Sequence, residues 1–128
     1  MVLLDTCALL WWTLEPESLS RRAKEACDRI ILDGGFVSSI SIWEAGNKAR
    51  RGALDLGTTL EDYVTRLKRL ASLEIIAVDE DIWVKNLSLL WDHRDPADRT
   101  IVATAFLKDL PIVTKDGTIG RFYPNVIW

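Results

Sequence analysis

The segment that decides the fold runs from residue 93 to residue 116 and reads HRDPADRTIVATAFLKDLPIVTKD. Its pair Asp95-Pro96 predicts the start of a helix, because proline is favoured at the first helical position. A tight turn then leads into the apolar run at residues 110–114, which predicts a buried strand followed by Asp116. A helix of about 12 residues spans roughly 18 Å, and a strand of five spans about 17 Å. Asp98, in the first turn of the helix, therefore returns to the sheet edge where Asp116 lies.

Short apolar runs elsewhere predict further strands of the same kind, over residues 2–4, 36–39, 73–78 and 125–128. The first ends at Asp5, after which Thr6 caps a helix, and the second leads to a helix over residues 41–51 that carries Glu44. Other helices begin at Ser18 or Ser20, at Thr58 or Thr59, and at Asp79, whose helix turns Ile82, Trp83, Leu87 and Leu90 inward. Strands that alternate with helices predict an α/β fold, with a parallel sheet covered on both faces.

The composition favours one soluble domain over residues 1–128. Apolar residues make up 48% of the chain and charged residues 27%, which excludes disordered and collagen-like proteins. The net charge of -3 excludes a polybasic nucleic-acid coat, although a local basic patch is compatible with it. Two cysteines, Cys7 and Cys27, are too few for a disulfide scaffold and fit a reducing compartment. Without a signal-like N-terminus or a run of about 20 apolar residues, we expect a cytoplasmic protein with no membrane partner.

Four carboxylates are predicted to meet at the carboxyl edge of the sheet, where ligands bind in folds of this class. They are Asp5, Glu44, Asp98 and Asp116. Taken singly, each has a simpler explanation as a helix cap, a turn residue or, for Glu44, the partner of Lys48 in a helical ion pair. Taken together, they would repel one another strongly in the reduced dielectric of a cleft. A hard divalent cation relieves that repulsion, and the lack of His and Cys ligands favours Mg²⁺ or Mn²⁺ over Zn²⁺.

Two such ions about 3.5–4 Å apart would suit hydrolysis of a phosphodiester bond. We expect Asp5, Asp98 and Asp116 to hold one metal, and Glu44 to help hold a second with Asp98 or Asp116. The sequence leaves open whether one or two metals bind before the substrate does.

Four short motifs occur in a fixed order along nearly the whole chain. They are Val-Leu-Leu-Asp5-Thr6, Ser-Ile-Ser-Ile-Trp-Glu44 followed by Lys48, His93-Arg-Asp-Pro-Ala-Asp98-Arg99, and Leu-Pro-Ile-Val-Thr114-Lys-Asp116. Together they resemble the PIN-domain ribonucleases, and most closely the VapC-type toxins of type II toxin–antitoxin pairs. Each motif alone is weak, whereas the ordered set of four is specific.

The resemblance implies a three-layer α/β/α sandwich with a mainly parallel sheet of four to five strands. It also implies a Mg²⁺-dependent endoribonuclease that cuts RNA with a metal-activated water and leaves a 5′-phosphate and a 3′-hydroxyl. The matched positions Asp5, Glu44, Asp98 and Asp116 would form its acidic, metal-binding cluster. The implied assembly is a homodimer, inhibited by a cognate VapB-type antitoxin whose C-terminal segment reaches the site. Thr6 and Thr114 would support the carboxylates or metal-bound water by hydrogen bonds.

Two short segments depart from the family pattern. Cys7 follows Asp5-Thr6 where many relatives carry His, and Gly46-Asn47 interrupts a helix that is usually more apolar there. Neither departure removes an acid. The second weakens the helix by roughly 1 kcal/mol or more, and it is compatible with the close approach of a partner.

An acidic protein that cuts an anionic polymer needs basic groups beside its cleft. Candidates close in sequence to the acids are Lys48, Arg50, Arg51, Arg94, Arg99 and Lys115. Arg99 has two possible roles from the sequence, as a phosphate contact or as a brace for a neighbouring acid. His93, the only histidine, is expected to brace the loop before Asp95. Among the six tryptophans, Trp11 and Trp43 are candidates for a dimer or antitoxin groove, with core packing the favoured alternative.

Two other functions fit the same residues. An RNA-processing nuclease of the same fold would lack an inhibitor, and a reading frame for a small DNA-binding antitoxin upstream would distinguish the two. A non-catalytic interaction module would have kept the fold without turnover, and the presence of all four acids argues against it.

Overall fold

The computed structural model describes residues 1–128. Five strands form one sheet in the order β3-β2-β1-β4-β5, and every neighbouring pair is parallel. They are β1 (Val2–Leu4), β2 (Gly35–Ser38), β3 (Leu73–Ile76), β4 (Ile112–Val113) and β5 (Val126–Ile127). The predicted α/β class with a parallel sheet is confirmed. The sheet is wholly parallel and has the larger of the two predicted strand numbers.

Helices connect the strands, and most begin at a side chain that caps them. They are α1 (Thr6–Leu14), α2 (Arg21–Asp28), α3 (Ile30–Asp33), α4 (Ser39–Arg50), α5 (Leu60–Arg69), α6 (Glu80–Ser88), α7 (Pro96–Lys108) and α8 (Gly117–Phe122), with a 3-10 turn at Pro16–Ser18. Ser20, Thr59, Asp79 and Asp95 each accept a hydrogen bond from the backbone N–H three residues later. The sequence predicted the starts at Asp79 and Asp95 and left two alternatives for each of the others, of which the structure selects Ser20 and Thr59. Such starts are predictable because a capping side chain satisfies a backbone donor that the first turn leaves free.

The core lies on both faces of the sheet, as the alternation of side chains along β1 requires. Leu3 packs against Ile101 and Val102 of α7, whereas its neighbour Leu4 packs with Leu9 of α1 and other residues on the opposite face. Leu3, Leu4, Ile101 and Val102 are fully buried. The molecule is therefore the three-layer α/β/α sandwich that the resemblance implied.

The sequence predicted Thr6 as the cap of α1, and this prediction is wrong. Asp5 caps that helix, because its Oδ1 accepts the backbone N–H of Ala8 at 2.7 Å. Thr6 is the first helical residue, and its hydroxyl donates to Ser41 Oγ at 2.9 Å. The prediction was one residue late, since both side chains are common capping groups.

The predicted inward face of α6 is largely wrong. Ile82 is buried, but Trp83, Leu87 and Leu90 are 44%, 83% and 97% exposed. The helix buries a narrow stripe formed by Ile82 and Asn86, four residues apart. Leu87 lies about 100° around the helix from Asn86, and Leu90 lies beyond the helix end at Ser88.

Helix α4 begins at Ser39, two residues before the predicted start, because Ser38 at the end of β2 caps it. A Cβ atom at Gly46 would lie 2.8 Å from Leu60 Cδ2. The glycine therefore does permit a close approach, and the group that approaches is a side chain of the same protein. No helix of the chain combines the length and the apolar character needed to cross a membrane.

Candidate active site

The carboxyl edge of the sheet opens into a cleft of about 450 Å³, here called the acid cleft. The lining residues are Asp5, Thr6, Cys7, Trp11, Glu44, Lys48, Asp95, Asp98, Lys115 and Asp116. Asp5 directly follows β1, and Asp116 caps α8 beyond β4. Glu44 lies in the second turn of α4, and Asp98 lies in the first turn of α7. The structure thus brings the four predicted acids to one cleft from four separate segments.

Asp5 is the most buried of the four acids, with 5% of its surface exposed. The pKa of its carboxyl is raised to about 6, mainly by burial and also by the nearby charges of Asp98 and Asp116, and the hydrogen bonds from Thr114 and the Ala8 N–H oppose the increase. The carboxyl is therefore costly to ionise where it lies. Thr114, itself buried, also accepts the backbone N–H of Asp116 at 3.0 Å. It supports two of the acids at once.

Asp98 is held by the loop that precedes α7. Its Oδ2 lies 2.8 Å from His93 Nε2, and its backbone N–H donates to Asp95 Oδ1 at 3.0 Å. The pKa of Asp98 is raised, mainly by burial and also by repulsion from Asp95 and Asp116. The contact with His93 opposes this increase. Sequence reasoning missed Asp95 as a cleft residue and His93 as a contact of Asp98. The spacing of Asp95 and Asp98 places both in the same turn, and this was the available signal.

Asp116 is held by backbone N–H groups, whereas Glu44 is positioned by the helix that carries it. Asp116 Oδ1 accepts the N–H groups of Thr118 at 2.7 Å and Ile119 at 3.4 Å. The hydrogen bond from Thr6 to Ser41 ties the start of α1 to α4, the helix that carries Glu44. Ser41 is fully buried and has no obvious sequence signal for this role.

Arg99 is not available to the cleft. Its guanidinium donates to the backbone carbonyls of Asn86, Leu89, Trp91 and His93 and to the side-chain Oδ1 of Asn86, at 2.5–3.3 Å. It forms no ion pair and does not line the acid cleft. Both predicted roles, the phosphate contact and the brace for an acid, are therefore wrong. Arg99 fixes the segment between α6 and α7, which includes the backbone of His93.

Four of the other five predicted basic residues line the acid cleft or a cleft beside it, whereas Arg94 lines neither. Lys48 and Lys115 line the acid cleft, and Lys115 Nζ lies 5.9 Å from the centre of the Trp11 ring. Arg50 and Arg51 line a second cleft of about 360 Å³, which shares Glu44, Lys48 and Asp95 with the first. None of these four cations forms an ion pair.

The donor chemistry of the acid cleft fits a hard divalent cation. Five carboxylates line it against two lysines, and burial and mutual repulsion raise the pKa of both Asp5 and Asp98. A cation bound through oxygen would relieve that excess of negative charge. No group of three or more His, Cys, Asp or Glu side chains is already gathered tightly enough to hold an ion. The fit therefore rests on charge and donor type rather than on a preformed coordination shell.

Comparisons with known proteins agree with this architecture. The family model described as PIN domain matches residues 2–123. Ribonuclease VapC22 of Mycobacterium tuberculosis is 29% identical over 116 residues, covering 90% of this chain and 86% of that protein. A toxin–antitoxin complex from Klebsiella pneumoniae superposes with a TM-score of 0.68 at 24% identity, covering 100% of this chain and 97% of that one. FitAcB from Neisseria gonorrhoeae gives a TM-score of 0.68 at 26% identity, with 98% and 96% covered. Because the family model spans nearly the whole length, and because the fold and motifs agree with it, the chain belongs to the PIN domain family.

Proposed function

We propose that this protein is a Mg²⁺-dependent endoribonuclease, with Mn²⁺ as an alternative cation, and that it acts as the toxin of a toxin–antitoxin pair. The observation that carries the proposal is the convergence of Asp5, Glu44, Asp98 and Asp116 on one cleft with more carboxylates than cations. The relative named Ribonuclease VapC22 supports the same assignment, and the toxin–antitoxin complex from Klebsiella pneumoniae has the same fold.

In this proposal Asp5, Asp98, Asp116 and Glu44 would hold the metal. When bound, the cation would supply positive charge beside the phosphoryl group and would make a neighbouring water more acidic. Thr114 orients Asp5, and the Ala8 N–H fixes one of the Asp5 oxygens. His93 holds the carboxyl of Asp98 from the side of the preceding loop.

Lys48 and Lys115 are the groups that would attract RNA phosphates to the acids, because both line the cleft and neither is neutralised by an ion pair. Thr6 acts through Ser41 by holding α1 against α4. In this proposal the protein's own residues orient the carboxylates and supply positive charge for the RNA phosphates.

The antitoxin partner has a candidate binding surface beside the acid cleft. A cleft of about 470 Å³ is lined mainly by apolar residues, among them Leu10, Trp11, Leu14 and Leu54. It shares Cys7, Trp11 and Lys48 with the acid cleft. A VapB-type segment lying there would reach the acids. The proposal also includes a homodimer, which gel filtration of the isolated protein at micromolar concentration tests.

The decisive experiment measures cleavage of RNA by the purified protein in Mg²⁺, in Mn²⁺ and in EDTA. Asp98→Asn and Asp116→Asn should abolish cleavage, since each removes a carboxylate from the cleft. Asp79→Asn is the matched control, because Asp79 caps α6 on an exposed surface and lies outside the acid cleft. Full activity in both cleft variants, or equal activity in EDTA, would overturn the assignment.

The same preparation tests the two alternative functions. A non-catalytic module would show no turnover with any RNA or divalent cation. An RNA-processing nuclease would cleave RNA, and co-expression with a small DNA-binding protein encoded next to it would leave cleavage unchanged. A toxin should instead be inhibited by that neighbour.

A further inference from the structure

The second cleft lies along helix α4 and continues the acid cleft, with which it shares Glu44, Lys48 and Asp95. It is here called the α4 cleft, and its distinguishing residues are Trp43, Asn47, Arg50 and Arg51. We propose that the α4 cleft binds single-stranded RNA next to the scissile bond, with one unpaired base stacked on Trp43. The inference rests on the proposed nuclease function and adds the path of the substrate.

Trp43 presents an indole to solvent at the rim of the site. Its surface is 59% exposed, although it is adjacent in sequence to Glu44 of the acid cleft. Trp11 and Trp91, by contrast, are each in contact with another aromatic ring of the protein. No ring of the chain stacks on Trp43. An exposed indole beside a cationic groove is a platform on which a nucleobase can stack.

The cations of the α4 cleft are free to bind phosphates. Arg50 donates through Nη2 to Asn47 Oδ1 at 3.1 Å, and no ion pair engages Lys48, Arg50 or Arg51. Basic residues in the last turn of a helix need no carboxylate partner, because the helix dipole stabilises positive charge there. Their remaining N–H groups are therefore available to a polyanion.

Helical spacing arranges these residues in two adjacent stripes. Glu44, Lys48 and Arg51 lie at positions i, i+4 and i+7, so cations follow the acid at about 6 Å and about 10 Å along the axis. Trp43, Asn47 and Arg50 repeat the same spacing one residue earlier. An RNA strand that leaves the acids along α4 would place its phosphates over Lys48 and Arg51 and one base over Trp43.

The charge of this surface favours RNA over a second copy of the protein. A twofold interface would place the same patch on both sides, so that Lys48, Arg50 and Arg51 of both copies would be brought together. Like charges brought together in an interface are unfavourable. The surroundings of Trp43 are mostly polar, whereas the centre of a stable protein interface is depleted of charge. Stacking on an indole also requires a base that is not already paired in a duplex.

The test uses a fluorescein-labelled single-stranded RNA that the wild-type protein cleaves. Affinity is measured by anisotropy in the inactive Asp116→Asn background, and KM and kcat are measured in the otherwise wild-type protein. Trp43→Ala should raise both Kd and KM about 5- to 100-fold and leave kcat within about twofold. Trp43→Phe should recover most of the affinity, because it retains an aromatic face, and Trp43→Leu should not. Annealing the complementary strand should remove the difference between the variants.

Trp83→Ala is the matched control, since Trp83 is also an exposed tryptophan, 44% accessible, on α6 and outside both clefts. An unchanged Kd in Trp43→Ala, or recovery by Leu equal to that by Phe, would overturn the stacking role. So would a loss of affinity that gel filtration traces to dissociation of a dimer. If the wild-type protein neither binds nor cleaves RNA, the proposed function itself fails. If it cleaves RNA and Trp43→Ala binds normally, only this inference fails.

Discussion

Replacement of Asp5 by Asn should stabilise the metal-free protein while abolishing RNA cleavage. The carboxyl of Asp5 is almost fully buried, and burial together with two neighbouring acids raises its pKa from 3.8 to about 6. An asparagine keeps the size of the side chain and can still accept the N–H of Ala8, since Asn is as good a helix cap as Asp. The substitution therefore removes a buried charge and little else.

The magnitude follows from the difference in pKa between the folded and unfolded chain. A raised carboxyl pKa means that the folded state binds the proton more tightly, so stability falls as pH rises through the window from about 4 to about 6. At about 1.4 kcal/mol per pKa unit, the ionised Asp5 costs the fold about 3 kcal/mol near neutral pH. The substitution also removes the favourable interaction of the negative charge with the helix dipole, and this reduces the gain in stability. We expect Asp5→Asn to gain about 1–3 kcal/mol in EDTA near pH 7.

Thermal or urea unfolding in EDTA at about pH 4 and about pH 7 measures the effect. The variant should exceed the wild type near pH 7 and come close to it near pH 4, where Asp5 is protonated in the folded chain and about half protonated in the unfolded one. Addition of Mg²⁺ should remove most or all of the advantage of the variant, because a ligand at a hundredfold its Kd stabilises the wild type by about 2.7 kcal/mol. Asp79→Asn is the control, since it makes the same change at an exposed cap. An Asp5→Asn protein that is no more stable than wild type at either pH would refute the reasoning.

Three further predictions test other parts of the structure. Arg99→Met should cost about 3 kcal/mol or more in urea unfolding, because it leaves backbone carbonyls without their charged donor, and Arg99→Lys should recover only part of this. Gly35→Ala should cost about 1–3 kcal/mol by the same measurement, since a Cβ there would lie 2.7 Å from Ile30 Cγ1 in the core. Replacing Arg50 and Arg51 together by Ala should reduce the slope of log Kd for RNA against log salt by about 1.4; an unchanged slope would place both side chains away from the phosphates.

Most of the site could be predicted because its signals are local. An apolar run that ends in an acid marks both a strand and its carboxyl end, as at Asp5, and a parallel sheet brings such ends together. Asp98 needed one more step, in which the length of α7 was matched to the strand that follows it. Capping residues such as Thr59 and Asp95 gave the helix starts for the same reason, since a cap acts within one turn.

What could not be predicted depends on contacts between distant segments. The exposed side of α6 could not be inferred from its apolar residues, because only its packing on α7 decides that Ile82 is buried and Leu87 is not. The hydrogen bond between Thr6 and Ser41 joins residues 35 positions apart. The bonds of Arg99 to carbonyls give no pattern in the sequence, since every residue carries a carbonyl.

The placement of Arg99 bears on why the acid cleft keeps its charge. An arginine directly after Asp98 could have paired with one of the five carboxylates of the cleft, and a cation of fixed charge there would compete with a metal for the same oxygens. Its guanidinium instead donates hydrogen bonds to neutral backbone carbonyls at the end of α6 and in the segment that leads to α7. That arrangement fixes the loop carrying His93, which holds Asp98 by a hydrogen bond. The protein thus uses a partly buried cation to order Asp98 without neutralising it, and a divalent cation in the cleft would relieve the excess of negative charge.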